Sequence, residues 1–277
     1  MTPDQYCQDK AAASGSSFYY SFLFLPPERR RAITALYAFC REVDDAVDEA
    51  SEAERAAVKL AWWRTEVAGL FEGQPRHPVT KALLPFVEKY GISQENLSEV
   101  IDGMEMDLTQ TRYLDWPGLE RYSYRVAGVV GILAAGIFGY SDARTLEYAR
   151  ALGIAFQLTN IIRDVGEDAR KNRIYLPMED LKAHGVPASD ILQSRETDAF
   201  RALMRFEAER AKQHYARAMQ ALPAADRKAQ RPGLIMAAIY RALLEEIERD
   251  GFRVLTQRTS LTPLRKLFIA WKTWLAA

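Results

Sequence analysis

Apolar residues recur along this chain at the three- and four-residue spacing of helices, and no stretch shows the sustained two-residue alternation of strands. In residues 27–49, for example, Ile33, Leu36 and Tyr37 fall on one side of a helix. The sequence contains neither an internal repeat nor a linker rich in Gly, Ser or Pro. Because such helices bury their apolar stripes against one another, we expect a single all-α domain over residues 1–277, a bundle of roughly eight to ten helices.

Residue types that begin and end helices divide the chain further. Pro27 suits a first helical turn, where N–H groups are left unpaired, and residues 51–54 (Ser-Glu-Ala-Glu) form a capping-box pattern. Ser93 and Asp115 are suited to cap later helices. In the first half of the chain, these signals predict helices over residues 27–49, 51 to about 71, 80–89 and 93–110, and one that begins at Asp115 and runs into a glycine-rich segment. In the second half, they predict a long helix from Ser141 or Asp142 to about 164, and helices over residues 198–222, 233–249 and 263–274. Residues 166–176 are expected to be irregular.

Composition excludes several classes of protein. The 37 basic and 37 acidic residues balance, which excludes a nucleic-acid binder that relies on overall charge. Two cysteines, Cys7 and Cys40, exclude a disulfide framework, and three scattered histidines argue against a zinc site. The glycine-rich apolar run Val126–Tyr140 is shorter than the roughly 20 residues of a spanning helix and predicts a tightly packed buried helix. The start of the chain lacks the pattern of a signal peptide, so we expect a soluble, cytoplasmic protein.

The first of two acidic clusters lies at the end of the helix predicted for residues 27–49. Asp44 and Asp48 are four residues apart and therefore share a helix face, about one turn from each other. That face also carries Tyr37 and Cys40, so the carboxylates are expected to point inward. Two like charges at this spacing repel by a few tenths of a kcal/mol, and a bound cation would reverse the sign. The alternative is a solvated acidic helix end.

The second cluster repeats this spacing with Asn160, Asp164 and Asp168. Oxygen donors without histidine or cysteine suit a hard cation such as Mg²⁺, which binds through a few carboxylates and substrate phosphates. Two such segments facing each other across a bundle would form a negative rim able to hold several Mg²⁺ ions and a diphosphate.

Basic residues flank both clusters and could share the charge of a diphosphate with the metal. Arg41 and Arg163 lie within the motifs, and Arg173 lies beyond the second one. Arg170 and Lys171 are equally consistent with a solvated loop.

Aromatic residues lie in or near the same segments. Their faces stabilise nearby cations by roughly 0.5–2 kcal/mol each without attacking them as a carboxylate would. The alternative is that each simply fills the core. The residues are Phe18, Tyr37, Tyr122, Tyr175 and Tyr240.

Four motifs together resemble the squalene/phytoene synthase family, over residues 14 to about 258. They are Asp44-xxx-Asp48, the segment Tyr122–Gly131, the run Gln157-xx-Asn160-xx-Arg163-Asp164-xxx-Asp168, and Arg173-Ile-Tyr175-Leu-Pro177. The resemblance implies a single-domain isoprenoid synthase helical bundle with a central cavity. It also implies that two prenyl diphosphates are joined head to head with Mg²⁺ as cofactor.

The resemblance also implies roles for individual residues. Many relatives carry basic residues just before the early Ser-Phe, whereas residues 14–17 here carry none. By resemblance, Mg²⁺ ligands are Asp44, Asp48, Asn160, Asp164 and Asp168; catalytic residues are Tyr37, Arg41, Tyr122, Arg163 and Tyr175; and substrate-binding residues are Ser17, Phe18, Gln157, Arg173 and Tyr240.

Within the family, residues 14–27 and 101–107 look most like bacterial presqualene diphosphate synthases of hopanoid pathways. That likeness implies two farnesyl diphosphates as substrates, and a downstream squalene-forming enzyme as partner. Three alternatives stay open. They are a phytoene or dehydrosqualene synthase of carotenoid biosynthesis, a head-to-tail prenyltransferase, since residues 44–48 also read Asp-Asp-x-x-Asp, and a non-catalytic assembly factor on the same fold.

The C-terminal segment has a composition of its own. Residues 253–277 contain five basic residues and no acidic one, together with Trp and Phe. One interpretation is a helix packed on the bundle with Leu267, Phe268 and Trp271 in the core. The other is reversible docking on the inner membrane face, because basic residues with aromatic ones are typical of interfacial helices.

Overall fold

Helices account for nearly all the regular structure of the computed structural model, which describes residues 1–13, 18–22, 24–48 and 53–276. Within these ranges there is no strand, only an isolated bridge between Arg112 and Ile174. The all-α prediction is therefore confirmed. The helices are α1 Pro3–Ala13, α2 Phe18–Phe22, α3 Pro27–Asp48, α4 Ala53–Phe71, α5 Pro78–Leu83, α6 Gln94–Thr109, α7 Trp116–Ser123, α8 Val129–Phe138, α9 Arg144–Arg170, α10 Met178–Ala183, α11 Ala188–Leu192, α12 Asp198–Ala221, α13 Arg231–Arg249 and α14 Pro263–Ala276.

Local capping explains several of the boundaries. The Ser93 hydroxyl accepts a hydrogen bond from the backbone N–H of Asn96 (3.1 Å), and Asp115 accepts one from Gly118 (2.9 Å). Both predicted N-caps are thus confirmed. A π-helical turn over residues 124–128 joins α7 to α8 without a break. The predicted capping box at residues 51–54 lies partly outside the described residues.

Two predicted helix ends are wrong. The helix expected over residues 80–89 gives way to a 3₁₀ turn at Leu84–Phe86, because Pro85 cannot continue the α-helical hydrogen bonding. Conversely, α9 does not end near 164 but continues to Arg170, so residues 166–170 are helical. Gly166 does not break this helix. Its missing side chain admits another backbone, since a Cβ there would lie 2.4 Å from the carbonyl oxygen of Leu255.

The long helix α9 forms the centre of the molecule. It packs against α8, α12 and α13, and most of its residues between 145 and 169 are buried. Glycines set the closest approach to the π-turn and α8. A Cβ on Gly153 would lie 2.3 Å from the carbonyl oxygen of Ala127, and one on Gly131 would lie 2.3 Å from that of Ala149. The predicted tightly packed glycine-rich helix is therefore observed.

Two groups of buried apolar residues flank the central region. One is built mainly from α3–α6 and α8, the other from α9–α13. Tyr124, Val126 and Phe18 pack against both groups. Among the described residues, no helix combines the length and apolar character needed to cross a bilayer.

Candidate active site

The two acidic motifs meet at one cavity of about 490 Å³, between α3 on one side and α9 on the other. Asp44 reaches it from the last turns of α3, while Asn160 and Asp164 reach it from α9. The expected opposition of the two motifs across the bundle is therefore observed. Ten of the residues singled out from the sequence line this cavity: Phe18, Tyr37, Arg41, Asp44, Tyr122, Gln157, Asn160, Arg163, Asp164 and Tyr240.

In the first motif, neighbouring carboxylates have different surroundings. Arg41 donates to Asp44, and its other terminal nitrogen donates to Asp45 at 2.7 Å. Asp45 is also held by Lys10 at 2.8 Å, and it does not line the cavity. Burial raises the pKa of Asp44 to about 6, against the opposing effect of Arg41. Asp48 is more exposed and lies 3.6 Å from the Lys171 ammonium, so Lys171 is a solvated turn residue that forms a surface ion pair.

In the second motif, two guanidinium groups converge on one carboxylate. Arg163 donates to both oxygens of Asp164, and Nε of Arg258 donates to Oδ1 of Asp164 at 2.8 Å. These partners hold the pKa of Asp164 below its usual value in spite of burial. Asp168, one turn further, has its pKa raised to about 7 by burial and by the charge of Asp164.

A third cation, Lys266, faces the same cavity as these two arginines. Burial, together with the positive charges of Arg163 and Arg258, lowers the pKa of the Lys266 ammonium. Asp164 offsets part of this positive charge, and the remainder makes the wall suited to a phosphate group.

The donor set fits Mg²⁺ bound together with a diphosphate. Oδ1 of Asn160 is buried and accepts no hydrogen bond within the described residues, which leaves it available to a cation. In the same part of the chain, no three His, Cys, Asp or Glu side chains lie close enough to hold an ion by themselves. An ion here therefore needs further oxygen ligands, and Mg²⁺ usually takes them from water and substrate phosphate.

Beside the cavity, a buried carboxylate organises three predicted residues. Asp107 of α6 accepts hydrogen bonds from the hydroxyls of Tyr122 (2.9 Å) and Tyr175 (2.8 Å). Its backbone carbonyl accepts one from Arg173 (3.1 Å). The rings of Tyr122 and Tyr175 stack with centroids 5.3 Å apart. Burial raises the pKa of Asp107, against the hydrogen bonds from the tyrosines.

A second group of aromatic rings lies where the polar cavity meets an apolar one. Phe18 contacts Tyr37 and Tyr240, with ring centroids 5.8 and 6.3 Å apart. Phe156 approaches Tyr240 to 4.8 Å. These ring faces border the space beside the acidic motifs, and aromatic faces of this kind stabilise nearby cations.

Behind these rings lies an inner, mainly apolar cavity of about 220 Å³. Its walls come from α2, α3, α8, α9 and α13. Going inward along α9, they run from Asn160 past Phe156 and Gly153 to Tyr148. Phe138 of α8 lies at the same inner end. This arrangement is a polar mouth leading into an apolar tunnel.

Sequence reasoning placed some residues incompletely and missed others. Ser17 lies outside the described residues. Four other predicted residues lie beside the cavity and do not line it. Arg173 and Tyr175 contact Asp107, Asp48 lies near Lys171, and Asp168 lies near both. Four residues of the site were not predicted: Asp107, Arg258, Lys266 and Phe156. The only signal for Asp107 was that residues 101–107 resemble those of relatives, and the only signal for Arg258 was the basic composition of the C-terminal segment.

Comparisons with known proteins agree with this geometry. The profile of the squalene/phytoene synthase family matches residues 11–265. A 15-cis-phytoene synthase of Synechocystis sp. is 35% identical over 283 aligned residues, covering 98% of this chain and 84% of the relative.

Two solved structures share the fold over nearly the whole chain. A dehydrosqualene synthase crystallised with a ligand superposes with a TM-score of 0.90 at 26% identity, covering 99% of this chain and 96% of the other. The squalene synthase HpnC from Alicyclobacillus acidocaldarius superposes with a TM-score of 0.81 at 28% identity, covering 90% and 94%.

Proposed function

Since the chain belongs to the squalene/phytoene synthase family, we propose that it is a presqualene diphosphate synthase, which condenses two farnesyl diphosphates and releases one diphosphate. Members of this family are prenyltransferases that join isoprenoid diphosphates head to head. The observation that carries the proposal is the polar mouth with two acidic motifs and four cationic side chains, opening directly into an apolar tunnel. A diphosphate with a prenyl tail matches both parts.

The residues at the mouth would hold the leaving diphosphate. Asp44, Asp48, Asn160, Asp164 and Asp168 would hold Mg²⁺, which supplies positive charge to the diphosphate as it departs. Arg41, Arg163 and Arg173 would donate to its oxygens, with Gln157 beside them. Arg258 and Lys266 add positive charge at the same wall, in a chain that lacks basic residues at 14–17.

The carbon chemistry then takes place beside the aromatic rings. Loss of diphosphate leaves an allylic cation at C1 of the first substrate, and the C2=C3 double bond of the second attacks that carbon. Loss of one proton then closes the cyclopropane ring of presqualene diphosphate. Tyr37, Tyr240 and Phe18 would stabilise the cation, and the apolar walls would exclude water. The proton passes to the released diphosphate or to a tyrosine of the Asp107 group.

The depth of the tunnel favours a fifteen-carbon substrate. Asn160 and Tyr148 are twelve residues apart on α9, so their Cα atoms lie about 18 Å apart along the helix at about 1.5 Å per residue. At roughly 1.3 Å per carbon–carbon bond, a farnesyl chain extends about 14 Å and a geranylgeranyl chain about 19 Å. The distance of about 18 Å between these two Cα atoms is longer than the extended farnesyl chain and shorter than the extended geranylgeranyl chain.

The second candidate is a phytoene synthase, favoured by the 35% identity to the cyanobacterial enzyme. A dehydrosqualene synthase is favoured in the same way by structural similarity. For this chain, Mg²⁺ as cofactor, a downstream squalene-forming enzyme as partner and a cytoplasmic location are parts of the proposal.

Product analysis separates these activities. The purified protein is incubated with Mg²⁺ and either farnesyl or geranylgeranyl diphosphate, with and without NADPH, and the lipids are identified by mass spectrometry. We expect presqualene diphosphate from farnesyl diphosphate, with no change on adding NADPH. Phytoene as the preferred product, or squalene or dehydrosqualene from the farnesyl substrate, would overturn the assignment. A requirement for isopentenyl diphosphate would indicate head-to-tail chain elongation instead.

A further inference from the structure

The C-terminal helix α14 presents an apolar row to solvent. Its outer face carries Leu264, Leu267, Phe268, Trp271 and Leu275, whose exposed fractions run from 42% to 80%. Leu264, Phe268, Trp271 and Leu275 follow one another by three or four residues and Leu267 lies beside them, so together they form a single stripe. The interpretation that Leu267, Phe268 and Trp271 fill the core is therefore wrong. The inner face packs through other residues, Ala270, Ile269 and Trp274.

The stripe continues beyond the helix itself. Phe24, in the turn between α2 and α3, is 40% exposed, and its ring stacks on that of Trp274 with centroids 5.4 Å apart. Contiguous exposed apolar surface of this kind marks a binding surface in proteins that are otherwise stable in water.

Basic residues occur on α14 and in the segment before it, and one of them, Arg265, pairs with Glu246 of α13. Lys272 follows Trp271 and so lies at the edge of the stripe, and it is exposed with no ion-pair partner among the described residues. Arg253 is likewise exposed and without an ion-pair partner in that part of the chain. No acidic residue occurs after Asp250. An apolar helix face edged by cations complements an anionic lipid surface, where aromatic and aliphatic side chains enter the interface and the cations meet the headgroups.

The position of α14 connects this surface to the candidate active site. The segment that leads into the helix, Arg258–Leu261, lines the polar cavity, and so does Lys266 in the first turns of α14. The same helix therefore borders the cavity mouth on one side and presents the apolar stripe on another.

We propose that α14 and Phe24 dock the protein on anionic membranes, so that the mouth of the cavity lies next to the lipid surface. Docking is a property of this surface alone and does not depend on which product is formed. Its advantage, a short path for prenyl chains between bilayer and tunnel, rests on the proposed function.

Co-sedimentation with vesicles tests the proposal. The full-length protein is mixed with vesicles of equal amounts of phosphatidylcholine and phosphatidylglycerol, or of phosphatidylcholine alone, at low salt. We expect binding to the anionic vesicles only. The triple variant Leu264→Ser, Phe268→Ser, Trp271→Ser should bind at least about tenfold more weakly, because three side chains no longer leave water. Lys272→Ala should weaken binding about fivefold.

A matched control removes exposed apolar residues elsewhere. Val58, Leu114 and Leu192 are exposed by 70%, 78% and 40% and belong to other parts of the chain, so their joint replacement by Ser should leave binding unchanged. Thermal unfolding checks that each variant is folded. Absence of binding by the wild-type protein, or equal binding by the two triple variants, would overturn the proposal. So would a wild-type dimer that the α14 variant converts to monomer, since a second copy would then cover the stripe. Turnover of detergent-dispersed substrate is measured separately, so a failed docking test leaves the proposed reaction standing.

Discussion

At the scale of single residues, the carboxylates of the two motifs have distinct partners, and this gives a first prediction. Asp48→Ala and Asp164→Ala should each lower turnover more than about a hundredfold, because each removes an oxygen ligand for the ions that stabilise the departing diphosphate. Steady-state kinetics on the folded variants measures the loss. Asp102→Ala is the control, because Asp102 pairs with Arg64 and does not line the cavity. Near-normal turnover in either motif variant would contradict the metal assignment.

A second prediction concerns Asp107. Asp107→Asn should lower turnover by roughly tenfold to a hundredfold, because an amide has one acceptor oxygen where the carboxylate serves both Tyr122 and Tyr175. Tyr113→Phe is a matched control. The Tyr113 ring stacks in the same group, but its buried hydroxyl has no hydrogen-bond partner within the described residues. If Tyr113→Phe and Asp107→Asn have equal effects, the network only packs the core. A double-mutant cycle of Asp107→Asn with Tyr175→Phe gives the coupling free energy between the Asp107 acceptor and the Tyr175 donor.

A third prediction follows from the raised pKa values of Asp44 and Asp168, about 6 and about 7 in the metal-free protein. Mg²⁺ binds the deprotonated carboxylates, so its affinity should fall about a hundredfold between about pH 7.5 and about pH 5.5. Titration calorimetry measures the affinity and the protons released. Asp168→Asn should remove most of this dependence. A flat affinity profile in the wild-type protein would contradict it.

The same two groups also affect stability. The folded protein binds more protons than the unfolded chain between about pH 4 and pH 7, because both pKa values are raised on folding. Their contribution therefore makes the metal-free protein less stable as the pH rises through this window. Added Mg²⁺ should restore stability at the upper end.

The sequence predicts part of the site and not the rest, for a physical reason. Residues four apart on a helix share a face, so Asn160 and Asp164 could be grouped from spacing alone. Arg258 lies 94 residues from Asp164, and its contact depends on how the segment before α14 folds back over α9. Asp107 likewise meets Tyr175 only because α6 packs near the chain that follows α9. Neither contact leaves a periodic signal.

At the scale of elements, the sequence predicted helix N-caps better than it predicted whether a glycine ends a helix. Ser93 and Asp115 cap helices as predicted because their bonds are local. Residues 166–176 were expected to be irregular, whereas Gly166 lies inside an unbroken helix and admits the backbone of Leu255. The helices α1, α2, α10 and α11 were not predicted. The last three span only five or six residues, which carry little periodicity, and α1 has no apolar stripe because Cys7 is its buried residue. The assignment of residues 1–277 to one domain stays a prediction.

The close approach of α9 to the π-turn gives a fourth prediction. Gly153→Ala should lower the free energy of unfolding by about 1–3 kcal/mol or more, because the added Cβ would lie 2.3 Å from the carbonyl oxygen of Ala127 and the helices must move apart. Chemical denaturation measures the change. Ala199→Gly in α12, a partly buried position, is a useful comparison because it costs only helix propensity and a small packing loss. A Gly153→Ala protein as stable as the wild type would show that the two helices separate easily.

At the scale of the whole molecule, side chains of α2, α3, α8, α9 and α13 enclose the tunnel and set its length. The depth of the tunnel cannot be predicted from the sequence, because it depends on which side chains of these helices converge at the inner end. The structure places Tyr148 and Phe138 there, and Ala134 nearer the middle of the α8 wall.

Chain-length selection therefore gives the last prediction. Tyr148→Ala should lengthen the tunnel and raise the turnover of geranylgeranyl diphosphate relative to farnesyl diphosphate by at least about tenfold, since the longer chain gains room for about four more carbons. Ala134→Phe should act in the opposite direction, blocking the tunnel partway and abolishing use of farnesyl diphosphate while geranyl diphosphate still binds. Competition assays with paired substrates measure both ratios directly, and because each ratio compares substrates in one protein, a general loss of stability cancels. If both variants lowered the turnover of all substrates equally, we would conclude that the prenyl chains do not bind in this tunnel. If the two variants shifted the substrate preference in opposite directions, the depth of the tunnel would be established as the feature that selects prenyl chain length.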